Sequence, residues 1–151
     1  MSERLDSERA AYAAERVKEI QKEALKKYRS AVGNAPAYLR QCGLLQLAAF
    51  YGSGEDRKPV WGDLWAWLTQ ASTTKAFFKN GDQNKDALGD RMKVLSGFSS
   101  NQLSLLERES EEILGWLKRL TEARNQAEEK NKKKPPKKVA LTAEGGLHGS
   151  P

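Results

Sequence analysis

From Leu5 to Ala31 the chain contains neither glycine nor proline, and apolar or small residues recur at Ala10, Ala13, Val17, Ile20, Ala24, Tyr28 and Ala31. The steps between them are three and four throughout. That spacing lays a stripe along one face of an α-helix, whereas a half-buried strand needs a period of two. It predicts one long amphipathic first helix, capped by Asp6 or Ser7 and stopped by Gly33-Asn34, with Pro36 just beyond. The many small residues in the stripe predict close approach to a neighbouring helix.

The same period recurs downstream. Pro36 suits the first turn of a second helix that carries Tyr38, Leu39, Cys42, Leu44, Leu45, Leu47, Ala48, Ala49, Phe50 and Tyr51. This segment is apolar almost all round, so it is expected at the centre of a bundle. Gly43 within it costs about 1 kcal/mol relative to alanine, which a close helix contact would offset. Gly52 to Pro59 reads as a loop. Val60, Trp61, Leu64, Trp65 and Leu68 then mark a third helix, with Trp67 off the stripe and free to pack on a different element.

A short helical piece is expected around Thr73 to Phe78, a turn at Asn80-Gly81-Asp82, and a fifth helix from Asp86 to Phe98. Ser99-Ser100-Asn101 can cap a last helix running to about Glu129, with Leu103, Leu106, Ser110, Ile113, Leu117 and Leu120 in its stripe. No segment alternates with period two between hairpin turns. The fold class is therefore all-α: a compact bundle of about five to six helices with long first and last helices, over residues 1–129. Residues 130–151 open with a lysine block and contain too few apolar side chains to offset their ordering entropy, so a disordered tail is expected there.

Charge divides along the same boundary. The 151 residues carry a formal net charge of +6, but residues 130–138 alone hold six lysines and no acid. Residues 1–129 hold 20 basic and 19 acidic residues, a balance of +1. Any polyanion-binding surface on the bundle must then be a local patch. Residues 15–48 offer one, with seven basic and three acidic residues. On a continuous first helix Lys18, Lys22 and Arg29 share an exposed side, and Arg9, Arg16 and Lys27 border the apolar stripe. The same spacing also allows Glu15–Lys18, Glu19–Lys22 and Glu23–Lys27 ion pairs on a merely solvated face. The lysine tail likewise leaves two readings open, polyanion binding and simple solubilisation.

Several chemistries lack their residues. The single histidine, His148, lies in the tail, so no Ser–His or Cys–His pair can be held there. The single cysteine, Cys42, sits in an apolar segment and reads as a structural thiol; it excludes a disulfide framework. Asp82-Gln83-Asn84-Lys85-Asp86 opens like an EF-hand loop, but Ala87 and Lys93 stand where glycine and glutamate are required. Asp82, Asp86 and Asp90 stack at spacings of four, which suits helix capping as well as a cation. There is no phosphate-binding glycine loop, no run of about 20 apolar residues to span a bilayer, and no signal-peptide pattern after Met1. A cytoplasmic protein that binds or assembles, with no enzyme activity, no cofactor and no metal, is the expectation.

The order of motifs also resembles a family. Leu5-Asp6-Ser7-Glu8-Arg9-Ala10-Ala11-Tyr12-Ala13 is followed by Val17-Lys18-Glu19-Ile20 and Lys27-Tyr28-Arg29-Ser30. Then come Ala35-Pro36, Gly43-Leu44-Leu45-Gln46, Ala49-Phe50, Trp65-Ala66-Trp67-Leu68, and Ile113-Leu114-Gly115-Trp116-Leu117-Lys118-Arg119. Spanning about residues 5–120, this order is similar to that of the small subunit of Cmr-type (type III-B) CRISPR RNA-guided effector complexes.

The resemblance implies a noncatalytic subunit that lines the filament of backbone subunits and helps hold target RNA in antiviral defence. Its implied partners are the backbone and other subunits, guide and target RNA, and neighbouring copies of itself. It matches basic positions at Arg9, Lys18, Lys27, Lys118 and Arg119; Arg16, Lys22 and Arg40 join them as candidate RNA-binding residues by basicity and location. A different class of function, a helical adaptor whose basic tail binds nucleic acid or acidic proteins, accounts for the same composition.

Overall fold

The apolar stripe of residues 10–31 is divided between two helices instead of one: Ala13, Val17, Tyr28 and Ala31 are buried, and Leu25 is buried where the stripe has the exposed Ala24. The computed structural model describes residues 2–133, and within them six α-helices follow one another with no strand. The first, α1, spans Ser2–Lys18, and α2 spans Leu25–Cys42. Between them Gln21 is extended, with φ −63° and ψ 141°. The break has a tertiary cause. Arg124, far along the chain, donates from one guanidinium nitrogen to the carbonyls of Val17 and Ile20 at 2.7 and 2.8 Å. Val17, in the last turn of α1, also accepts from the Ile20 N–H at 3.2 Å, and Ile20 lies beyond the helix. Ala13 and Val17 of α1 and Tyr28 and Ala31 of α2 nevertheless enter one core.

The expected stop at Gly33-Asn34 is overridden as well. Helix α2 runs through both residues and through Pro36 to Cys42. Ala31, Val32, Ala35, Pro36 and Leu39 are all buried on it, against α6 over the most extensive helix pair in the molecule. Packing thus outweighs the local propensities of Gly33 and Pro36. The real boundary is Gly43, which has φ 86° and separates α2 from α3, Leu44–Gly52. Glu107 of α6 caps α3 by accepting from the Leu44 N–H at 2.8 Å. A Cβ on Gly43 would stand 3.1 Å from that carboxylate, so positive φ and close approach both call for glycine.

Helix α3 is only partly central. Leu44, Leu47, Ala48 and Tyr51 are buried, while Phe50 is 41% exposed. Cys42 is exposed, not the packed thiol expected from its apolar neighbours, because it ends α2 on the outer side of the α2–α3 corner.

The remaining elements follow the sequence closely. Helix α4, Lys58–Gln70, starts with Pro59 in its first turn and buries Val60, Trp61, Leu64, Trp65 and Leu68. Trp67, off that stripe, packs on Tyr12 of α1 with ring centroids 4.9 Å apart. Short 3-10 turns at Lys75–Phe77 and Asp82–Asn84 lead to α5, Leu88–Ser96. Ser99 and Gln102 form a reciprocal capping box, 3.1 and 2.9 Å, at the start of α6, Ser100–Lys133. At 34 residues this helix is about 50 Å long. It continues past Glu129 through the first lysines of the basic block; the rest of the expected tail lies outside the described residues. Leu106, Ile113, Leu114 and Leu117 make α6 the spine on which α1, α2 and α4 pack.

Candidate nucleic-acid interface

The eight basic side chains singled out in the sequence occupy very different environments. Arg9 is inside the molecule. Its guanidinium donates to both carboxylate oxygens of Glu109 at 2.8 Å and also reaches Asp6 at 3.0 Å, with only 12% of its side chain exposed. Glu109 in turn accepts from Trp67 Nε1 at 2.8 Å and from the Thr73 hydroxyl at 2.7 Å. Burial alone would push the Glu109 carboxyl up. The hydrogen bonds from Arg9, Trp67 and Thr73 outweigh it and hold the group below the usual carboxylate range.

Arg16 is drawn to a second interior acid. It donates from Nε to Asp63 of α4 at 2.8 Å, while the Tyr28 hydroxyl donates to the other Asp63 oxygen at 2.7 Å. Burial raises the Asp63 carboxyl above its ordinary value, against the pull of Tyr28 and Arg16. Arg9 and Arg16 thereby tie α1 to α6 and α4.

The other candidates lie outside. Lys18 is exposed and makes no ion pair among the described residues. Lys22 reaches Glu128 at 3.9 Å, Lys27 reaches Asp56 at 3.8 Å, and Arg40 donates to Glu111 at 3.0 Å. The i,i+3 and i,i+4 pairs expected for a solvated first helix are absent at Lys18, Lys22 and Lys27 among the described residues. Glu15 and Lys18 share α1 without pairing, whereas the break at residues 19–21 interrupts the helix between Glu19 and Lys22. For the same reason Lys18, Lys22 and Arg29 do not share one helix face.

What the fold does assemble is a groove between α2 and α6, about 690 Å³ in volume. Lys26 and Arg29 enter it from α2, and Lys118 and Arg119 from α6, with Glu122 as its acid. Gly33 lies one helical turn on from Arg29 and meets nothing within 4 Å of where a Cβ would stand, which keeps the groove open. Arg119 folds its guanidinium over the Trp116 ring, 4.6 Å from the centroid, in space left by Gly115. Arg29 donates to both oxygens of Glu122 at 2.7 and 3.1 Å. Lys26, Lys118 and Arg119 make no ion pair among the described residues.

A second hollow of about 560 Å³ adjoins the first across Lys26, Ser30 and Asn34. Lys27 and Arg57 line it beside Tyr38 and Phe50. Tyr38 stacks on Phe50 at 5.0 Å, and Arg57 lies 3.7 Å over the Phe50 ring while donating to the Phe50 carbonyl at 2.9 Å. Cations therefore run across α2 from Arg119 to Arg57. Of these, Lys118, Arg119 and Lys27 were legible as candidates. Lys26, Arg29 and Arg57 are added by the fold, although Lys26, Arg29 and Gly33 follow i, i+3, i+7 on α2.

The aspartates of residues 82–90 are not gathered. Asp82 sits in a 3-10 turn, buried, and accepts from the Lys79 N–H at 2.8 Å, whereas Asp90 belongs to α5. Among the described residues no group of three or more acidic, thiol or imidazole side chains could hold a metal ion, and no helix is long and apolar enough to cross a membrane.

The fold and the groove define a small helical subunit that presents spaced cations on a nearly neutral body. Residues 5–124 match the family model described as CRISPR-associated protein (Cas_Cmr5), and the chain belongs to that family, the small subunits of Cmr-type complexes. Membership implies association with the other Cmr subunits. No curated protein and no solved structure matches the chain.

Proposed function

We propose that this protein is a noncatalytic subunit of a type III-B CRISPR effector complex in the cytoplasm, and that it holds target RNA in the groove between α2 and α6. The observation that carries the reading is the convergence of Lys26, Arg29, Lys118 and Arg119 on one groove of a bundle with little net charge. Lysine and arginine at that density contact phosphates without reading bases, which suits a subunit that must accept any guided target. Lys18, Lys22, Lys27 and Arg40 extend the contact surface around the groove. Arg9 and Arg16 support it indirectly, by fixing α1 on α6 and α4. Copies aligned along the filament multiply a weak single contact.

The test is RNA retention by the assembled complex. Lys118→Ala with Arg119→Ala is expected to weaken target RNA binding while assembly, followed by copurification, stays intact. Unchanged affinity overturns the groove assignment. Cleavage of labelled RNA by the isolated chain, with or without divalent cations, would overturn the noncatalytic role.

A further inference from the structure

A second cationic surface lies on the connection from α4 to α5 and shares no residue with the α2–α6 groove. Between Gln70 and Phe98 the chain carries five basic and three acidic residues. One of the acids, Asp82, is buried and already committed to the Lys79 N–H and to Lys85, 3.2 Å away. Lys75, Lys79 and Lys93 are exposed and make no ion pair among the described residues.

Two hollows meet at Lys79. One, about 500 Å³, sets Lys75 and Lys79 among the amides of Gln70, Asn80 and Gln83. The other, about 380 Å³, sets Lys79, Lys85 and Lys93 beside Phe77 and Phe98, with Asp90 on its wall. Because Lys79 belongs to both, they form one bent track.

The track is held from below. Trp65 of α4 donates from Nε1 to the Asp82 carbonyl at 3.0 Å. Phe78, next to Lys79, packs edge-on against Trp65 and Phe98 at 5.4 and 5.3 Å. Gly81, with φ 99°, makes the turn that brings Asp82 back onto the Lys79 N–H. Lys79 is thus presented from a turn tied to the core.

Lysines supply mobile point charges for phosphates, the amides can donate to and accept from bases or ribose, and the phenyl edges offer apolar contact. A run of carboxylates alone offers the lysines charge but presents no base or ribose to the amides and phenyl edges. We infer that the α4–α5 connection is a second binding surface for single-stranded RNA, separate from the α2–α6 groove. It rests on the reading of the protein as an RNA-holding subunit, but not on that groove.

The test is a site-resolved amide NMR titration of the full chain with an oligouridylate of about eight nucleotides, within the usual span of a single-strand site. Amides of residues 75–83 are expected to shift and saturate, and to do so equally in Lys118→Ala. In Lys75→Ala with Lys79→Ala the affinity read from that region falls and its salt slope drops by about 1.4, at about 0.7 per phosphate contact. Shifts confined to residues 26–34 and 115–122 overturn the second surface and leave the groove standing. Shifts at 75–83 alone support the second surface and overturn the groove. Equal shifts there with an oligoglutamate of the same length overturn the assignment to RNA, as does the absence of any shift at millimolar oligouridylate.

Discussion

Arg9 and Lys118 look alike in the sequence, each a basic residue in a helical, charge-rich stretch, yet they serve opposite ends of the molecule. Arg9 neutralises the buried Glu109, whereas Lys118 faces the groove in water. Arg9→Ala leaves a carboxylate of 3% exposure without its counter-charge, and should cost about 3–5 kcal/mol of stability. Lys118→Ala should stay within about 0.5 kcal/mol. Urea denaturation of the two variants separates them; equal midpoints would refute the assignment. The cost of Arg9→Ala should also depend on pH. Because the folded Glu109 carboxyl lies below its ordinary value, its contribution is complete above about pH 4.3. That contribution is lost as pH falls through the depressed value, so the difference between Arg9→Ala and the parent chain shrinks in acid. Asp63 acts in the opposite sense: burial raises its carboxyl, so its ionisation works against the fold as pH rises through the raised value. In the groove, Arg29 donates to both oxygens of Glu122, so on the proposed reading this acid competes with phosphate for Arg29. Glu122→Gln is expected to raise RNA affinity about two- to fivefold, the scale of an exposed ion pair. A fall on titration would show that Glu122 orients Arg29 productively instead of occupying it.

At the scale of elements, the legible and illegible parts have different physical origins. The stripes of α4 and α6, the Ser99 cap and the outlying Trp67 follow from local period and local hydrogen bonding, so they stand in the sequence as they stand in the fold. The boundaries between α1, α2 and α3 do not. Arg124 ends α1 from more than 100 residues away, and Glu107 caps α3 from 63 residues away. Neither side chain announces its target. Gly33 and Pro36 carry the local marks of a helix end, but burial along α6 decides otherwise. The site depends on the same contacts: Lys26 and Arg29 meet Lys118 and Arg119 only because α2 packs along α6, which no local pattern states. Gly43 tests the revised boundary. Gly43→Ala must hold φ near 86° and bring a Cβ against Glu107, so a loss of about 1–2 kcal/mol is expected. Gly33→Ala, in regular helix with open space around it, should be neutral or stabilise by up to about 1 kcal/mol. Thermal melts of the pair decide; the reverse order would restore Gly33 as the helix end.

For the whole molecule, a net charge of +6 that belongs almost wholly to residues 130–138 means that total charge cannot place an RNA strand on the bundle. On the proposed reading, placement comes from geometry: α6 brings Lys118 and Arg119 opposite two residues of α2 about 90 positions earlier. Four cations in one groove give a bounded electrostatic contribution. At about 0.7 per phosphate contact on a single strand, replacing Lys26, Arg29, Lys118 and Arg119 together by alanine should flatten log K against log salt by about 3. The lysine block is unchanged in that variant, so the difference isolates the groove. Measured on the full chain by fluorescence titration across a range of salt, a difference near zero would place the binding outside the α2–α6 groove and overturn the groove assignment. A flattening of the expected size would mean that the bundle holds the strand by position, and that a nearly neutral body keeps each single contact weak enough to depend on neighbouring copies in the filament.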